Sequence, residues 1–140
     1  MKKISLFKSA VIVGLLALTT VSIQSCKKDE DPDRDQFIGS YLSTNTCVAG
    51  TSWTTEITES SAGDENILIK NIGGVTGLNV NGLVAGTAYT ISSQTAVDAD
   101  GDNWTISGSG SINGSVVTST ISYTLTGGTP FVCSETWTKQ

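Results

Sequence analysis

The clearest pattern along the chain is a two-residue alternation over residues 115–126. Val117, Ser119, Ile121, Tyr123 and Leu125 fall on one side, and Val116, Thr118, Thr120, Ser122 and Thr124 on the other. This is a strand with one buried face and one wet face. In the run before it, Trp104, Ile106, Gly108, Gly110 and Ile112 share a face. Asn113-Gly114, between the two runs, is the strongest short hairpin signal, because both residues tolerate the positive φ of a type I′ turn. Further strands are predicted near 38–46, 53–59, 66–72, 77–85, 87–97 and 131–139. The stretch 87–97 reads as one strand bent at Ser92-Ser93 or as two short ones. Turns fall at 61–64, 85–86, 98–103 and 127–130. No window of 37–140 carries a 3.6-residue apolar period, and every link is short. Neighbouring strands therefore pair antiparallel, giving an all-β, up-and-down meander of about eight strands.

The N-terminus follows a different pattern. Lys2, Lys3 and Lys8 precede an apolar run over 10–18, and Thr19, Thr20, Ser22 and Gln24 follow it. The run is short of the roughly 20 apolar residues of a membrane-spanning helix. Residues 1–25 are expected to be a signal peptide and are set aside from the fold. The alternative, a buried core helix, is disfavoured by the basic flank.

Ile23-Gln24-Ser25-Cys26 resembles a lipobox, which marks Cys26 for lipidation. Ser25 supplies the small residue wanted beside the scissile bond, while Gln24 departs from the usual small or apolar residue. An ordinary secreted protein cut near Cys26 is the alternative, and it would leave an odd exposed thiol. Lys27-Lys28-Asp29-Glu30-Asp31 resembles the lysine-plus-acidic signal that sends Bacteroidetes lipoproteins to the outer face of the outer membrane. Each buried methylene of an anchor contributes roughly 0.8 kcal/mol, so several acyl chains hold a domain durably where one binds reversibly. Residues 26–36 then comprise the lipidated cysteine and a charged spacer. The β domain is expected over 37–140.

Without 1–25, the chain keeps five basic residues against 13 acidic ones, a net charge of about −8. No basic patch remains for a phosphate backbone, so nucleic acid is excluded as a partner. Histidine is absent, which removes the commonest general base and transition-metal ligand. Cys47 and Cys133 remain inside the domain. Export to an oxidising compartment makes a disulfide the default, with two buried thiols as the alternative. Two cysteines without histidine cannot complete a zinc site. If Cys47, after the first strand, bonds Cys133, near the start of the last, those strands are antiparallel neighbours. That is the arrangement of a closed barrel with an even number of strands. A two-sheet sandwich is the alternative.

Other residues resemble small Bacteroidetes lipoproteins of lipocalin-like fold. They are Phe37-Ile38-Gly39-Ser40-Tyr41, Ile72-Gly73-Gly74, Thr90-Ile91-Ser92-Ser93-Gln94, the Ile-Ser-Gly-Ser-Gly stretch at 106–110, and Cys133 before Trp137-Thr138-Lys139. The resemblance covers most of 37–140 and implies a lipocalin-like barrel and an outer-membrane location, but no activity.

Asp98, Asp100 and Asp102 alternate around Gly101, the oxygen-rich pattern a Ca²⁺ ion requires. The pattern departs from an EF-hand: glycine comes one position early, and Ser109 stands where the bidentate glutamate belongs. A solvated acidic hairpin loop is the favoured alternative. The pairs Asp64/Glu65 and Glu56/Glu59 could be offered for glycoside hydrolysis, but nothing orients them. No catalytic residue and no cofactor are expected. Trp53, Trp104, Trp137, Tyr41, Tyr89 and Tyr123 could line a cavity for an apolar ligand or stack on sugars, although core packing is expected for most. Asn103-Trp104-Thr105 and Asn113-Gly114-Ser115 match glycosylation sequons incidentally. Two expectations follow. One is a monomeric, lipid-anchored, non-catalytic module that binds a small apolar ligand, a glycan or a partner. The other is an envelope spacer with a fully packed core.

Overall fold

The computed structural model describes residues 33–140. The expected signal peptide, the Cys26 anchor and the first part of the spacer lie outside the described residues. Eight strands follow one another: β1 (Gly39–Asn45), β2 (Trp53–Glu59), β3 (Asn66–Lys70), β4 (Asn79–Ala85), β5 (Ala88–Val97), β6 (Asn103–Asn113), β7 (Val116–Leu125) and β8 (Phe131–Lys139). Each pairs antiparallel with the next, and β8 returns to β1 with Tyr41 opposite Lys139 and Asn45 opposite Glu135. The sheet is a closed barrel rather than a sandwich.

Closure follows from the alternation. The inward set of β7 (Val117, Ser119, Ile121, Tyr123) is buried, while Thr118 and Thr120 between them are exposed. A one-residue slip would turn that whole set to water, so the apolar period fixes the register. Of residues 87–97, Ala88–Val97 form one strand, with a register shift between Ile91 and Gln94 where Ser92-Ser93 was expected to bend it. The third strand stops at Lys70. Asn71 takes a left-handed conformation and starts a 3-10 turn over Ile72–Gly74, so the fourth begins only at Asn79.

An eight-stranded barrel is just wide enough for side chains to fill it, and here they do. Ile57, Ile67, Ile69, Ile91, Ile106 and Ile121 pack the middle. Tyr89 stacks on Trp137 with ring centroids 6.0 Å apart, and Phe37 meets Tyr89 edge-on at 5.7 Å. Gly110 points inward beneath Tyr89; a Cβ there would stand 2.6 Å from the ring. The glycine lets a large aromatic lie against the wall.

The first described residues and Gln140 lie at one end of the barrel. The last four residues of the expected spacer, Asp33–Gln36, form a 3-10 turn rather than solvated coil. The Asp33 carboxylate accepts from the Gly86 N–H at 2.9 Å, and Gln36 donates to the Gly86 carbonyl at 2.7 Å. Arg34 donates to the Gly63 carbonyl and pairs with Glu59 at 3.3 Å. These bonds seat fully buried Phe37 as a plug, and the Tyr41 hydroxyl donates to the Phe37 carbonyl at 2.7 Å.

Candidate functional site

The opposite end carries the loops 46–52, 71–78, 98–102 and 126–130, and here the barrel stays partly open. A pocket of about 150 Å³ lies between Trp104, Tyr123 and Phe131 on one side and Val48, Val75 and the Cys47–Cys133 disulfide on the other. The disulfide, with Cα atoms 5.5 Å apart, crosses the seam between β1 and β8. Phe131 stacks on Tyr123 at 5.6 Å and meets Trp104 edge-on at 6.4 Å.

The loops around the pocket are tied by local hydrogen bonds. Asn45 Oδ1 accepts from the N–H groups of Cys47 and Val48, turning the chain just after β1. Ala99 N–H donates to the Thr76 carbonyl at 2.9 Å, joining two of the mouth loops. Gly73 has a φ of +68°, and a Cβ there would stand 2.9 Å from the Tyr123 ring, so no other residue fits without displacement.

Glu135 lies on the inner wall and is almost completely buried. It accepts hydrogen bonds from the Tyr123 hydroxyl and, at 2.8 Å, from Trp137 Nε1. Burial holds its carboxyl above the usual carboxylate range, outweighing the hydrogen bonds that pull it down. Burial, and then the Glu135 charge, raise the Tyr123 phenol. Burial alone pushes Tyr41 up to about 12. Chemically, Glu135 is a strut on the inner wall, tied to Tyr123 of β7 and Trp137 of β8.

The residues singled out in the sequence are distributed as follows. Tyr41, Tyr89, Tyr123 and Trp137 are core, whereas Trp53 and Trp104 are half-buried. Asp98 Oδ1 accepts from the N–H groups of Asp100 and Asp102, and Oδ2 accepts from Trp104 Nε1 at 2.9 Å. The Trp104 bond leads the interactions that hold the Asp98 carboxyl below its usual value. Asp98 thus caps its own loop, and no group of three or more metal-ligating side chains is gathered among the described residues. The candidate calcium set Asp98, Asp100 and Asp102 is not assembled. Glu56 pairs with Lys70 at 3.1 Å and Glu59 with Arg34, while Asp64 and Glu65 are both exposed in the turn after β2.

A second concavity, shallow and about 530 Å³, runs over the outer wall of β5–β8. Its outward residues form two cross-strand rows, Thr90-Ser109-Thr120-Ser134 and Ala88-Ser111-Thr118-Thr136. Tyr89 and Trp137 face inward behind it, so no outward aromatic there offers a face to a sugar.

No protein family matches the chain, and no curated protein matches it. Among solved structures it is similar to one from Bacteroides fragilis, provisionally described as an outer membrane protein. The TM-score is 0.52, at 15% identity over 79% of this chain and 53% of the other. The likeness is one of fold, and this chain spans about half the length of that protein.

Glu135 escaped the sequence reading, although a signal existed. Cys133, Glu135 and Trp137 alternate along a strand whose neighbours are Ser and Thr, which sets one carboxylate on an apolar face. The mouth pocket had no linear signal, because its walls come from five separate segments.

Proposed function

We propose that this chain is a non-catalytic, lipid-anchored protein of the outer membrane that uses the mouth of its barrel as a binding site. The observation that carries the reading is where apolar surface remains exposed. Among the described residues Val48, Val97, Leu125, Phe131 and Val132, five of the seven exposed large apolar residues, border the mouth, while Leu42 and Leu83 stand apart on the outer wall. Apolar surface rimmed by polar residues marks sites of interaction. The chain enters the domain at the other end, through Asp33–Gln36, so an anchor at Cys26 would present the mouth away from the membrane.

The sidedness of the wall supports an anchored barrel rather than a spanning one. A barrel immersed in lipid is apolar outside, whereas this one is apolar inside and turns Ser and Thr outward on β5–β8. The fold shared with the Bacteroides fragilis protein agrees with an envelope location. A second reading, a spacer with a packed core, is favoured by the filled interior, which leaves no room for a ligand between Tyr89 and Trp137. The two readings part at the mouth.

Photo-crosslinking in the native cells tests the choice. Benzoylphenylalanine at Val48 or Phe131 should give one discrete adduct, and the same group at Leu83 or Thr120 none. Equal yields from all four positions, or none from the mouth, would leave only the spacer. Acyl labelling that is lost in Cys26→Ala tests the anchor.

A further inference from the structure

The mouth pocket is too small for the usual ligand and too well walled to be a packing fault. Drug-sized ligands occupy pockets of roughly 300–1,000 Å³. An apolar cavity of about 150 Å³ accepts a single benzene-sized guest, and that is the size found here. A free molecule of so few atoms could gain little affinity. One side chain carried by a larger partner gains the rest from its surroundings, in the way buried aromatic anchors dominate interfaces while the rim excludes water.

The walls select the kind of side chain. Trp104 and Phe131 stand edge to face, and Tyr123 stacks on Phe131, so an incoming ring would extend an existing aromatic cluster in the geometries ring quadrupoles favour. Cys47 and Cys133 close the far wall, and sulfur beside a ring edge adds a small attraction.

The charge around the pocket selects its neighbours. Trp104 lines the pocket and is held to Asp98, so the acidic loop with Asp100 and Asp102 sits beside that wall. Asp100 and Asp102 are exposed. Among the described residues the cation at this end is Lys70, and it is paired with Glu56; Arg34 and Lys139 lie at the other end. The rim is apolar and negative, and it repels an acidic partner.

We infer that the mouth pocket between Trp104, Phe131 and the Cys47–Cys133 disulfide takes one aromatic side chain from a loop of a partner protein, with a basic residue beside it facing Asp100 and Asp102. This rests on the binding-module reading above and names its occupant.

The test uses the ¹⁵N-labelled lipoprotein isolated from its own cells, in detergent and at low salt. Three capped tripeptides serve as probes: Lys-Trp-Lys, Glu-Trp-Glu and Lys-Leu-Lys. Lys-Trp-Lys should shift the Trp104 indole and Gly73 amide resonances saturably. The other two should bind at least tenfold more weakly. Phe131→Ala, at a half-exposed position, should weaken Lys-Trp-Lys at least tenfold. The double change Asp100→Asn with Asp102→Asn should remove the preference over Glu-Trp-Glu and leave the preference over Lys-Leu-Lys. The inference is overturned by no saturable shift with Lys-Trp-Lys, by equal binding of the leucine peptide, or by free indole binding as tightly as the peptide. Any of these alongside mouth-specific cross-links would overturn the occupant alone, whereas loss of the cross-links would remove the binding module with it.

Discussion

The two ends of the barrel are made by the same alternating strands and are finished differently. At one end a 3-10 turn is bonded to two hairpins, and Phe37 fills the opening against Tyr89, which stacks on Trp137. At the other a disulfide draws the seam together but leaves a pocket and an apolar rim. Between them Glu135 accepts from Tyr123 and Trp137. The contrast suggests a division of labour, with stability concentrated at the closed end and recognition at the open one.

The sharpest test of that division compares two phenylalanines. Phe37→Ala removes a fully buried ring and should cost about 3–5 kcal/mol. Phe131→Ala, at a residue 44% exposed, should cost about 1 kcal/mol or less. Urea denaturation measures both, and similar losses would abolish the distinction between the ends. Opening the disulfide comes next. Cys47→Ala with Cys133→Ala frees a loop spanning 86 residues of sequence and should cost about 3 kcal/mol. Hydrogen exchange should then quicken first at 46–52 and 126–130, with the Phe37 amide unmoved. Faster exchange at the closed end instead would mean that the disulfide braces the whole barrel.

The smallest expected effect is a pH slope. The folded carboxyl of Glu135 is raised above its unfolded value, chiefly by burial. Between those two values the folded state therefore holds more protons than the unfolded one. Its contribution is fully favourable below the unfolded pKa and is lost as pH rises through the folded one. Glu135→Gln, which does not titrate, should flatten this part of the slope in urea midpoints taken from pH 4 to 7. An unchanged slope would mean that solvent reaches the group.

How much of this was legible in the sequence depends on distance along the chain. The period-two runs located all eight strands, with 53–59 and 131–139 matching to the residue, because sidedness is written in adjacent positions. The hairpin at Asn113-Gly114 was equally local. Barrel against sandwich stayed open until the pairing of Thr44 with Thr136 closed the sheet. The spacer's last residues looked like coil, since Asp33 and Gln36 have partners only 53 and 50 positions away, at Gly86. In the acidic loop alternate carboxylates are visible in sequence, but the hydrogen bonds that occupy Asp98 are not. Glu135 was readable by parity alone, while the pocket above it required loops from four hairpins to meet.

The interior of the barrel is full and its mouth is not. Diffraction from crystals under xenon pressure reads this directly, because xenon enters dry apolar cavities of this size. Density for one atom between Trp104, Phe131 and the disulfide, with none between Tyr89 and Trp137, is the result expected. Xenon seated in the middle of the barrel, or excluded from the mouth, would contradict it.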